Sequence, residues 1–360
     1  MCVTKINTEG ALAERLFKSA VQTLELYGLY IGKRLGLYRA LYEAGPSTCL
    51  ELSLKAGIAA RYAREWLEQQ AVCGFIEVDT ATKDAYFRKY SIPEDHVGVL
   101  LAEDDASHLA PLSQMLVGIA QALPDVVQAY KTGTGVPYEK YGADFRRGQG
   151  GVNKPAFLHD LTHVWLRSVP DLHQRLQSGD AVRIADIGCG VGWSTITLAK
   201  AYPHAAVTGI DMDAGSISEA IAHAAKEQVQ AVFYHEDASY AAFRDKFDLI
   251  LILETLHDMS RPTAVLENLR LALKPEGCII IADERVANAF YAPGDDLERM
   301  MYGWSITHCL PVAMSEQPSE AIGTVIRPEK VTECALRAGF SHVEILPITN
   351  DLFRFYRLRM

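Results

Sequence analysis

The stretch VRIADIGCGVGWSTITLAKAY, Val182 to Tyr202, decides the fold. It opens as an apolar strand, turns on glycines and continues as a helix. Gly188, Gly190 and Gly192 let the backbone turn tightly and approach a ligand closely. Strand–helix alternation runs from here to the C-terminus. Strands are expected at 182–187, 206–211, 231–235, 247–253, 277–283, 342–346 and 352–358. Helices at about 192–201, 214–227, 261–273 and 328–338 separate most of them. This pattern predicts an α/β domain with a mostly parallel sheet and helices on both faces. The last strand follows its predecessor through a short turn at PITND, which predicts a terminal antiparallel hairpin.

A glycine loop alone also suits a dinucleotide site. Two details separate the readings. The third glycine of G-x-G-x-x-G would fall at 193, where Trp193 stands. Asp186 lies just before the loop, and a carboxylate there would repel a pyrophosphate but attract an ammonium and a sulfonium. S-adenosylmethionine (SAM) carries both cations. The next strand ends in Asp211, which can accept hydrogen bonds from both ribose hydroxyls, and Met212 beside it can pack on adenine. The third strand leads to Asp237, placed to accept from the adenine amino group, with Ala238 next to it. One such acid alone reads as loop solvation or a helix cap. Three in succession, with the glycine loop, read as a cofactor site at the carboxyl edge of the sheet.

The fourth strand, FDLILIL, ends abruptly in the ionisable run Glu254-Thr255-Leu256-His257-Asp258. At this point ADIGCGVG, GIDMD, EDA, FDLILILETLHD and LKPEGCIIIADE resemble, in order, the motifs of class I SAM-dependent methyltransferases. They cover about residues 180–285. With the N-terminal region described below, the chain resembles two-domain small-molecule O-methyltransferases and a bacterial group of undefined substrate. The resemblance implies a Rossmann-like seven-stranded sheet, SAM as donor and S-adenosylhomocysteine (SAH) as product. It implies that His257 is the general base, a role suited to an imidazole pKa near ~6.5. Glu284, or failing it Glu254, is expected to hold the His257 ring, and Glu254 also belongs to the expected cofactor set. Two positions depart from the family: Leu253 replaces a cofactor-contacting lysine, and GTVIRPEKV offers Arg327 where a second glutamate is usual. Transfer to N, S or C by proximity, without a histidine base, is the alternative chemistry.

Upstream, residues 11–31 and 35–43 read as helices. Ser47 or Thr48 caps CLELSLKAG, which closes on Gly57. AARYAREWLEQQAVCGF follows as an amphipathic helix with Tyr62, Trp66, Leu67 and Ala71 on one stripe, then FIEVD and AYFRKYSI as a hairpin. That is a winged-helix order. The expected domains are a winged-helix, dimerisation-type domain at 1–95, a helical connector at 96–178 and a SAM-binding domain at 179–360. Within the connector, KTGTGVPYEKYGADFRRGQGGVNKP reads as a long loop. The insert at about 286–327 reads as a lid, rich in aromatic residues and Met, which suggests an apolar or aromatic acceptor. Tyr141, Met301, Trp304 and His308 are the candidate acceptor contacts.

The bulk composition excludes several classes. The 360 residues are 49% hydrophobic and 22% charged, with a formal net charge of −10, which disfavours an extended nucleic-acid surface. A SAM-sensing DNA-binding regulator is the rival class. Against it, residues 1–95 carry 12 Lys or Arg and 12 Asp or Glu, and Arg61 and Arg64 stand beside Glu65 and Glu68. A homodimer through the apolar faces of residues 11–42 is expected instead. Seven cysteines without a C-x-x-C pair, and no signal peptide at MCVTKINTEG, point to a reducing cytoplasm and to no zinc ribbon. HDLTH lacks the Glu and the third ligand of a zinc motif, so no metal is expected. No apolar run approaches the ~20 residues of a membrane helix.

Overall fold

The computed structural model describes residues 9–179, 181–240 and 246–360. Residues 1–8, with Cys2 and most of the opening MCVTKINTEG, lie outside the described residues. The chain divides into two compact units, Met1–Val117 and Gly118–Met360.

In the first unit, helices Glu9–Arg34, Leu37–Ala44, Cys49–Ala56 and Ala60–Val72 precede an antiparallel pair, β1 (Glu77–Asp79) and β2 (Lys89–Ser91). Thr48 is the cap: its side chain accepts from the Glu51 amide, and the Glu51 carboxylate accepts from the Thr48 amide at 2.7 Å. Gly57, at φ +67°, ends that helix. On the fourth helix the buried stripe is Ala63, Trp66, Leu67 and Gln70. Tyr62, expected on that stripe, is 77% exposed. At 3.6 residues per turn it stands roughly a quarter turn from the centre of the buried positions. Trp66 is fixed by its indole N–H, which donates to the Gly28 carbonyl at 3.0 Å.

The second unit is built on a seven-stranded sheet. Its strands are β3 (Arg183–Ile187), β4 (Ala206–Asp211), β5 (Val232–His235), β6 (Phe247–Leu253), β7 (Leu273–Glu284), β8 (His342–Ile345) and β9 (Phe353–Arg359). The order is β5-β4-β3-β6-β7-β9-β8. The first five are parallel, and β9 runs antiparallel to both β7 and β8, as the terminal hairpin requires. Every residue of β6 is buried. Its side chains alternate between two cores. Leu249, Leu251 and Leu253 pack with Trp165, Leu172 and Leu198; Ile250 and Ile252 pack with Leu266, Leu269 and Val331. Strand order reverses between β3 and β6, which opens a crevice at their carboxyl ends.

The glycine-rich connector is not the long loop that its composition suggests. A short turn of helix at Tyr138–Tyr141 leads into a helix at Gly142–Ala156, which continues as a wider helix through Trp165. Its small residues serve close packing. A Cβ on Gly150 would lie 2.3 Å from Cγ2 of Val191, and one on Gly118 would lie 2.5 Å from Cβ of Phe145. His159 and His163 of HDLTH face outward on the wide helix. Among the described residues no helix is long and apolar enough to cross a membrane.

Candidate functional site

The turn between β3 and the helix Trp193–Ala201 is tied to the end of β4. The Gly188 and Cys189 amides donate to the Ile210 carbonyl at 2.8 and 3.2 Å, and the Gly190 amide donates to the Asp211 carboxylate at 2.8 Å. All three glycines have positive φ, but for different ends. A Cβ on Gly188 would press on Thr255 at 2.6 Å, and one on Gly192 would press on Ala220 at 2.8 Å. A Cβ on Gly190 would meet nothing within 4 Å. Gly190 therefore borders open space.

That space is a cavity of about 480 Å³ at the carboxyl ends of β3, β4, β5 and β6. Gly188, Gly190, Asp211, Met212, Asp237, Ala238 and Glu254 of the expected cofactor set all line it. Asp211 also accepts from the Asp213 amide at 2.8 Å, and burial lifts its pKa to about 6. Asp213 is held in turn by Arg146 at 2.6 Å. Asp237 lies 3.4 Å from Arg261, whose guanidinium stacks over Tyr240 at 4.6 Å. Glu254 sits at φ +58°, an unfavourable backbone for a side-chain-bearing residue, and such strain persists where the surroundings impose it. Its carboxylate accepts from Asn153 at 3.1 Å, and burial raises its pKa to about 7.

Two expected members are outside the lining. Asp186 is buried and accepts from the hydroxyls of Ser194 and Thr195, each at 2.6 Å. It secures the first turn of the helix after the loop instead of facing a sulfonium. Gly192 is a packing glycine. Conversely, Arg146, Trp193 and Arg261 line the cavity without having been read as site residues. Arg261 was visible in the run His257-Asp258-Met259-Ser260-Arg261, but charge alone did not mark it. Arg146 sits on the helix misread as loop.

His257 is enclosed. Its Nδ1 lies 2.6 Å from Asp283, and its Nε2 faces Asp258 at 3.3 Å. The partner on Nδ1 is thus Asp283, not Glu284 or Glu254. Glu284 ends β7 one residue later, so its side chain takes the other face of the strand register. Burial opposes a charge on His257, but Asp283 and Asp258 outweigh it and raise its pKa well above the ordinary imidazole value. Burial and the neighbouring Glu254 push Glu284 up strongly, which favours its neutral form. The His257, Asp258 and Cys309 polar atoms lie within 4.8 Å of one another, but burial lifts the thiol to about 12, so it is a neutral neighbour. Asp258 lines the cavity, whereas His257 does not.

Pro137, Tyr138, Phe157, Met259, Val312 and Ser315 also line the cavity. Of the expected acceptor contacts, Tyr141, Met301 and His308 are buried, and with Trp304 they stand outside the lining. Tyr141 and His308 belong to an aromatic cluster behind Tyr138. The His308 ring stacks on Phe145 at 4.1 Å and meets Tyr141 edge-on at 4.5 Å. Burial lowers His308 to about 4, so it is a neutral ring in that cluster. The 286–327 insert does reach the cavity, through Val312, Ser315 and Glu316.

Residues 178–333 match a family model described as a methyltransferase domain. Residues 24–101 match a model described as an Rv2258c-like winged HTH domain. The methyltransferase domain resembles the ubiquinone biosynthesis O-methyltransferase of Histophilus somni, with 32% identity over 132 residues, 35% of this chain and 53% of that protein. The chain spans about half the length, or less, of the curated relatives it matches first. Its fold is that of solved two-domain methyltransferases. Human N-acetylserotonin methyltransferase in complex with SAM superposes with a TM-score of 0.65 at 18% identity, covering 99% of both chains. PigF with SAH superposes with a TM-score of 0.67 at 17% identity, covering 98% of this chain and 100% of that one. The seven-stranded sheet after a winged helix is therefore the architecture that the sequence resemblance implied.

Proposed function

We propose that the protein transfers a methyl group from SAM to a small, apolar or aromatic acceptor, with O-methylation favoured, and releases SAH. One observation carries the reading. A single cavity joins the open face of Gly190, the half-buried Asp211 and Glu254, and an apolar wall of Tyr138, Phe157, Met259 and Val312. The cradle fits the cofactor: space at Gly190 for close approach, acids for its cations and hydroxyls, and Met212 beside the expected adenine. Bound SAM would supply an electrophilic methyl group. Asp211 would accept from the ribose hydroxyls and Asp237 from the adenine amino group. The apolar wall would exclude water and hold the acceptor in line. Asp258 lines the cavity and His257 does not, which bears on how the acceptor loses its proton.

The N-terminal unit supports a dimerisation role better than duplex binding. Arg61 pairs with Glu65, and Arg88 pairs with Glu68 at 3.1 Å, so the helix Ala60–Val72 presents no net basic face. The helix Glu9–Arg34 leaves Leu12, Leu16, Phe17, Leu24 and Ile31 exposed at helical spacing. A stripe of this kind favours a homodimer. Sedimentation of wild type and Phe17→Glu would test it: a dimer that the substitution splits is expected, and a monomeric wild type refutes it.

Calorimetric titration of SAH into wild type and Asp211→Ala tests the central reading. Micromolar binding lost in the variant is expected. Absence of binding to wild type would require its withdrawal.

A further inference from the structure

We infer that Asp258 is the group presented to the methyl acceptor, and that His257 is a buried positioning residue that holds the Asp258 carboxylate. The inference rests on the methyl-transfer reading.

Placement comes first. The His257 side chain is 3% exposed, while that of Asp258 is 16% exposed and lines the cavity beside Met259. Both ring nitrogens of His257 face carboxylates: Nδ1 faces Asp283 on β7, and Nε2 faces Asp258. A neutral imidazole has one N–H, which the 2.6 Å contact with Asp283 takes up; an imidazolium has a second donor and a charge that also attracts Asp258 at 3.3 Å. A ring in that state has no lone pair with which to take a proton. Cys309 also contacts the ring, but a neutral thiol is only a weak partner beside two carboxylates; His308 is neutral, and Glu254 and Glu284 add negative charge or none. Asp283 Oδ2 and Asp258 Oδ1 lack any well-aligned hydrogen bond, so the cluster has acceptors in excess and one cation to serve them.

The step balances without another reagent. The acceptor O–H gives its proton to a carboxylate oxygen of Asp258. The acceptor oxygen's lone pair forms the new C–O bond, the donor C–S bond breaks, and its electron pair stays on sulfur. Asp258 returns the proton to water when the product leaves. A carboxylate is a competent general base when held in place, and the 3.3 Å ion pair with His257 draws it to one side of the cavity wall.

The test uses the full chain, with 15N-labelled histidine and SAH added. The His257 ring is expected to be doubly protonated at about pH 8, well above the ~6.5 of an unperturbed imidazole. Asp258→Asn and Asp283→Asn should each lower its midpoint by about one unit or more. A ring that is neutral at that pH, or indifferent to Asp258→Asn, overturns the inference. As a second arm, methyl methanethiosulfonate labelling of Asp258→Cys and His257→Cys should modify position 258 and spare position 257. Equal labelling also overturns it. Loss of SAH binding by wild type would instead reject the methyltransferase reading, and the His257 signal would still be readable.

Discussion

Nδ1 of His257 lies 2.6 Å from the carboxylate of Asp283, and both side chains are buried. The pair joins the end of β6 to the end of β7 beneath the cavity, so it is structural before it is chemical.

Asp283→Asn should therefore be strongly destabilising. The folded pKa of His257 is raised, against burial, by Asp283 and Asp258. Its stabilisation is complete below the unfolded value of ~6.5 and is lost only as pH rises through the higher folded value. At neutral pH the pair is intact. Removing one partner of a buried ion pair costs about 3–5 kcal/mol. Urea unfolding at neutral pH measures this. A loss below about 1 kcal/mol, the range of an exposed pair, would show that the ring carries no charge there.

Asp211 makes SAH affinity depend on pH. Burial lifts it to about 6. The raised value means that its ionisation costs the free protein stability as pH rises through about 6, and that ligand hydroxyls can offset that cost. SAH affinity should fall as pH drops through about 6, by up to about tenfold per unit. Asp211→Asn should bind more weakly and show no such slope. A slope that survives in Asp211→Asn would place the titrating group elsewhere, Glu254 being the next candidate.

Most of the second unit was legible because its physics is local. The buried run Phe247–Leu253 reads as a strand covered on both faces, and Asp211 ends β4 while Asp237 follows β5 by two residues, both at the ligand edge. Direction was not legible. Asp186 has the right position in sequence, yet the hydroxyls of Ser194 and Thr195 on the next helix turn it away. The expected partner of His257 was Glu284 or Glu254 and the observed one is Asp283, because nothing in the sequence reveals which face of β7 looks toward His257. The connector failed for another reason. Gly150 and Pro155 signal turns by composition, but glycine also permits close packing, and only the partner, Val191, distinguishes the two.

The loop glycines should separate by function. Gly190→Ala places its methyl group in open cavity, so beyond the cost of its φ of +52° its main loss should be SAH affinity. Gly192→Ala drives a methyl group against Ala220 at 2.8 Å, so its main loss should be stability, about 1–3 kcal/mol from overpacking plus the cost of its φ of +86°. Calorimetry and urea unfolding on both variants would show it. Equal profiles would mean that Gly190 does not border the cofactor.

Gly150 offers the sharpest test of the connector. In a helix interior, glycine to alanine ordinarily gains about 1 kcal/mol. At Gly150 the new methyl group would lie 2.3 Å from Cγ2 of Val191, a buried, β-branched side chain with little rotamer freedom. Val191 is also anchored through its carbonyl, which lies 2.9 Å from Nδ1 of His223. The clash should win, and Gly150→Ala should destabilise by about 1–3 kcal/mol. Val191→Ala opens the space, so the double variant should recover part of that loss, with a coupling of about 1–2 kcal/mol in a double-mutant cycle. Because Val191 lines the cavity, Gly150→Ala should also weaken SAH binding, and the double variant should restore it in part. A stabilising Gly150→Ala would mean that the helix Gly142–Ala156 stands off from the glycine loop, and that the wall it gives the cavity is not fixed by this contact.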